Sequence, residues 1–258
     1  MIGKLIPIIL LLTCCGAGPV AAQGLTLDQI VDGAYHRDST DRANIVDWKA
    51  TSETFSRRLN DDSTVKEEKK FLKTYFIKDS LCAEQFQEYY LDGKKQDEKS
   101  LESEARDSAK ARRKGRSRDL SANPIKPFYP NLRREYDFTL AGSETKDGYA
   151  CYHVGATGKI KDQNRIDGDF WFETDSLRLV QADFHPSKLP TAIKYLNMTM
   201  IYAPTSQGNW LPARFHLSGF GRVLLFIKFR FSVDETYSNH AVNIGLTDEI
   251  FREKNNEN

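Results

Sequence analysis

The clearest pattern in the chain runs from 223 to 233. Val223, Leu225, Ile227, Phe229, Phe231 and Val233 alternate with Leu224, Phe226, Lys228, Arg230 and Ser232. Strand side chains point to opposite faces in turn, so this run predicts a strand with one wholly apolar face and one mixed face. Similar patterns precede it at 167–175, 177–184, 193–202 and 210–217, with turn residues in the gaps. Ser218-Gly219-Phe220-Gly221 reads as the hairpin turn before the last strand. Consecutive antiparallel strands of this kind build a sheet with one apolar side, which must be covered or used.

The first half predicts more strands, at 45–55, 65–78 and 80–91, with a tight turn at Asp92-Gly93. A further hairpin spans 134–140 and 149–154 around Lys146-Asp147-Gly148. Before them, Thr26-Leu27-Asp28-Gln29 forms a capping box, and Leu25 and Ile30 are placed to staple it. Leu27, Ile30, Val31 and Ala34 make a narrow stripe, so this helix must lie on something apolar.

One stretch departs from the pattern. Between 106 and 118, Arg106, Lys110, Arg112, Arg113, Lys114, Arg116 and Arg118 stand against Asp107 alone. This predicts a solvated helical insertion that is dispensable for folding, with a polybasic arm for anionic lipid or an acidic partner as the functional alternative. Pro124, Pro127 and Pro130, with Phe128 and Tyr129 between them, predict an extended return to the sheet.

The N-terminus reads as an export signal: Lys4, an apolar run at 5–12, and small residues at Val20 and Ala22. Cleavage there starts the mature chain at Gln23 in the periplasm. A lipid anchor at Cys14 or Cys15 is the alternative. The chain is then a leader at 1–22 and one domain at 23–258, with a charged insertion at about 96–130. Of 37 basic residues, loss of Lys4 leaves 36 against 36 acidic ones, which argues against nucleic-acid binding as a global property. Beyond the leader only Cys82 and Cys151 remain, and export predicts a possible disulfide between them. The histidines show no metal-ligand spacing, and no nucleophile elbow, phosphate loop or cofactor motif is present, so no catalytic residue, metal or cofactor is assigned.

Four segments, Gly168-Asp169-Phe170-Trp171-Phe172, Leu177-Arg178-Leu179-Val180-Gln181-Ala182, Met198-x-Met200 and Gly208-Asn209-Trp210-Leu211-Pro212, resemble the LolA/LolB-like outer-membrane lipoprotein-sorting carriers. The resemblance covers about a third of the chain and is a signature of fold more than of chemistry. It implies a mainly β (α+β) fold: a single curved antiparallel sheet of roughly ten strands, an incomplete barrel with helices over its concave face. It implies a periplasmic carrier, not an enzyme, binding lipid or lipoprotein acyl chains in an apolar cavity between sheet and helix. Its partners would be those acyl chains and membrane-associated donor and acceptor proteins, with no nucleic acid, and it would act as a monomer. The alternatives are an envelope sensor or protein-interaction domain on the same fold, and a lipid-modifying enzyme, which would need a convergent polar cluster in the cavity. Strand alternation assigns the cavity lining to Leu196, Met198, Met200, Leu211, Phe215, Leu225, Ile227, Phe229 and Phe231.

Overall fold

The computed structural model describes residues 24–79, 81–113, 123–223 and 227–252. The capping box forms as read. The Thr26 hydroxyl accepts from the Gln29 amide at 3.3 Å, and the Gln29 side chain accepts from the Thr26 amide at 2.9 Å. Two donors at the start of helix α1 (Leu27–Ala43) are satisfied in this way. Four strands follow: β1 (Asp47–Leu59), β2 (Val65–Lys78), β3 (Leu81–Leu91) and the two-residue β4 (Lys94–Lys95). Helix α2 (Glu98–Arg113), a 3-10 turn (Lys126–Phe128) and the short α3 (Pro130–Arg133) interrupt the sheet. Then come β5 (Tyr136–Lys146), β6 (Tyr149–Gly158), β7 (Ile166–Glu173), β8 (Leu179–Pro186), β9 (Ile193–Pro204), β10 (Trp210–Val223) and β11 (Ile227–Val242).

All strands join one antiparallel sheet in the order β4-β3-β2-β1-β11-β10-β9-β8-β7-β6-β5. The sheet stays open and does not close into a barrel. Its chain-distant seam is β1 on β11, with Phe55 opposite Asp234. Helices α1 and α2 lie on one face, here called inner. Ile30, Val31 and Ala34 of α1 are buried against Met198, Met200, Phe170, Phe172 and Phe184. Burial of Ile30 and Val31 contributes about 1.5–3 kcal/mol each, which offsets the weak intrinsic stability of a narrowly striped helix.

Two expectations about connections need correction. Ser218, Gly219, Phe220 and Gly221 lie inside β10, and the chain reverses between Val223 and Ile227. The two glycines serve close approach across strands. A Cβ on Gly219 would stand 2.3 Å from the Phe231 ring, and one on Gly221 would stand 2.2 Å from the Phe229 ring. The proline-rich return is a 3-10 turn and a short helix, and Phe128 there is fully buried. Its ring meets Phe170 and Phe172 edge-on at centroid distances of 5.0 and 4.9 Å. The charged insertion begins as the helix α2, whose described side chains are exposed or half-buried and which touches the sheet through Lys69–Glu104 and through Ser108, which donates to Glu84 at 3.2 Å; the basic side chains from 112 to 118 lie outside the described residues.

The expected disulfide is also absent. Cys82 and Cys151 are not bonded to each other. They sit on β3 and β6, with seven strands between them, and disulfide geometry allows only about 7 Å between Cα atoms.

Candidate functional site

The inner face divides into an apolar and a polar region. On the apolar side, register places Phe215 opposite Met200 and Leu217 opposite Met198. All four join the cluster under α1. The apolar rows continue past that cluster. Gly219 pairs with Leu196 and with Phe231, so Leu196, Phe231 and, two residues on, Phe229 share the inner face. These three are half-buried. The rings of Phe229 and Phe231 stack along the strand at 6.2 Å, over the two glycines.

Of the residues assigned to a lining, the structure therefore brings together Leu196, Met198, Met200, Phe215, Phe229 and Phe231. Leu211 is separated from them. A register shift between Pro212 and Arg214 inserts one residue, so Leu211 pairs with Ala203 and faces away from Phe215. Leu225 and the side chain of Ile227 lie outside the described residues. A cavity of about 400 Å³ opens elsewhere, at the end of the α1-covered core, beside Lys126, Glu135, Tyr136 and Arg165. Its wall mixes charged and polar side chains with Leu132, Tyr136 and Ile166, unlike the wholly apolar space expected between sheet and helix.

The polar region was not foreseen. Lys73 on β2 is nearly buried, at 8% side-chain exposure, between Glu235 and Glu84, each at 7%. Its Nζ lies 3.1 Å from Glu235 Oε1 and 3.3 Å from Glu84 Oε1. Glu235 also accepts from Ser52, from Thr54 at 2.8 Å and from the Tyr237 hydroxyl at 2.8 Å. Burial alone would push the Glu235 carboxyl up, but Lys73 and these hydroxyl donors outweigh it and hold it below the usual carboxylate range. Burial and the adjacent Glu235 push the Tyr237 hydroxyl well up, so it stays a neutral donor. The network is thus internally satisfied, a cost met by pairing. The signal in sequence was a lysine within an otherwise inward row, Phe71, Lys73, Tyr75 and Ile77.

The outer face carries polar pairs. His216 and Asp234 meet at 2.7 Å, and His153 stacks on Trp171 at 4.6 Å. Among the described residues no three histidine, cysteine or carboxylate side chains group as metal ligands.

Three solved bacterial structures are similar to this chain. A DUF1329 family protein from Desulfovibrio piger is 14% identical at a TM-score of 0.42, over 87% of this chain and 96% of that one. An outer membrane lipoprotein-sorting protein domain from Vibrio parahaemolyticus is 15% identical at 0.42, over 86% and 95%. A LolA superfamily protein from Nitrosomonas europaea is 13% identical at 0.38, over 89% and 99%. The chain is similar to LolA superfamily proteins. No family model and no curated protein matches it. At these identities the likeness is one of fold alone. The function is therefore argued from the inner face.

Proposed function

We propose that this protein is an exported carrier that holds lipid or lipoprotein acyl chains along the inner face of its sheet. One observation carries the reading: the apolar rows do not stop where α1 stops. Leu196, Phe229 and Phe231 extend the face of Met198, Met200 and Phe215 as a half-buried strip along β9–β11. An acyl chain needs nothing more directional than such a strip, because each methylene removed from water contributes about 0.8 kcal/mol. Flexible thioethers suit chains of variable shape. The Lys73–Glu235 network bounds the strip toward β1, which favours a chain lying along the strands. Export through a leader at 1–22, and transfer between membrane-associated donor and acceptor proteins, belong to the same proposal.

The test is lipid analysis of the protein purified under mild conditions from its own envelope fraction. Stoichiometric acyl lipid or lipoprotein, lost when Phe231 is replaced by serine, is the expected result. Protein free of lipid, from an envelope where it is abundant, would overturn the reading. N-terminal sequencing of the same sample separates a start at Gln23 from an acylated start at Cys14 or Cys15.

A further inference from the structure

Where β10 turns into β11, the outer face of the sheet carries a chemistry of its own. One cross-strand row runs through Tyr195, Phe220, Arg230, Leu59 and Val65, on β9, β10, β11, β1 and β2. Both ends of the row are open, with Tyr195 and Val65 each 52% exposed. The next position toward the turn pairs Arg222 with Lys228, and both are exposed. The Arg230 guanidinium lies 4.7 Å over the Phe220 ring, and its Nε finds no hydrogen-bond partner among the described residues. Lys228 faces Asp61 at 3.7 Å, a loose surface pair. Exposed Lys66 and Lys194 flank the row, so cations outnumber carboxylates at this end.

We propose that this end of the outer face docks on an anionic phospholipid surface. An exposed tyrosine suits the boundary of hydrocarbon and water, since its ring is apolar and its hydroxyl polar. Arginine and lysine stems lie along apolar surface while their charged heads reach outward to phosphates. Apolar residues interleaved with cations along one cross-strand row match a fluid anionic surface, which asks for no shape complementarity. The proposal goes beyond the carrier reading and does not depend on it. Both join at one point: Phe229 and Phe231 lie on the opposite face of the same strands, so docking here would bring the open end of the strip to the bilayer.

The experiment is co-sedimentation of the full chain with vesicles of phosphatidylglycerol and, separately, of phosphatidylcholine. Binding to the anionic vesicles that falls with added salt is expected, with little binding to the neutral ones. The double variant Arg222→Glu/Lys228→Glu should bind at least roughly thirty-fold more weakly, the factor for losing two cations at such a surface. Tyr195→Ser should weaken binding to both vesicle types. These positions are exposed, so circular dichroism should show the variants folded, and Lys49→Glu at the far end of β1 should bind as the parent does. Absence of binding to phosphatidylglycerol at low salt would overturn the proposal. So would equal binding to both lipids, or a double variant that binds like the parent. Binding to soluble polyglutamate without binding to vesicles would point to an acidic protein and overturn it as well.

Discussion

Lys73 on β2 and Glu235 on β11 meet at 3.1 Å across β1, the strand that lies between them in the sheet. Ser52 and Thr54 of β1 fill the space beneath and donate to the same carboxylate. Three strands are thereby tied together on the inner face, at the seam where the ends of the chain pair.

The tie has an asymmetric energetic signature. Removing Lys73 leaves two buried carboxylates uncompensated, so Lys73→Met should cost about 3–5 kcal/mol in urea unfolding. Adding Glu84→Gln and Glu235→Gln removes those charges while keeping acceptors for Ser52, Thr54 and Tyr237. The triple variant should regain most of the loss, because the desolvation cost disappears with the charges.

Acid should act through the same group. The folded-state pKa of Glu235 is depressed, so its stabilising contribution is present above the ordinary carboxylate value and is lost as pH falls through the depressed one. Stability of the parent should therefore decline on the acid side, and Glu235→Gln should show a shallower decline over that window in urea melts at stepped pH.

Gly219 and Gly221 give a packing prediction. Alanine at 219 meets the Phe231 ring and should cost about 1–3 kcal/mol through overpacking. Pairing it with Phe231→Leu should recover part of the loss, a coupling readable in a double-mutant cycle.

The two thiols should differ in reactivity. Cys151 is buried, and burial pushes its thiol up to about 11. Cys82 is partly exposed. Brief alkylation of native protein near neutral pH, read by mass, should label Cys82 first and Cys151 only on unfolding.

Much of this fold was legible in the sequence. The capping box of Thr26 and Gln29 was readable because it is local, and most strands because alternation marks them. What failed was non-local. Gly219 and Gly221 looked like a turn because the rings that need their space, Phe231 and Phe229, sit across a strand pair. Leu211 fell out of phase through a bulge that alternation alone cannot reveal. Lys73, Glu84 and Glu235 come from three strands, and their meeting follows from the β1–β11 pairing of chain ends. Phe128 looked like part of an extended connection because its prolines mark a bend without saying what the bend inserts.

The most direct test of the carrier claim is titration of purified protein with a fluorescent fatty acid. The account predicts saturable binding, weakened roughly tenfold or more in Phe231→Ser, since a phenyl ring of the strip supplies about 1.5–3 kcal/mol of burial. Circular dichroism should show that variant folded. A parent protein without saturable binding, or a folded Phe231→Ser with unchanged affinity, would contradict it.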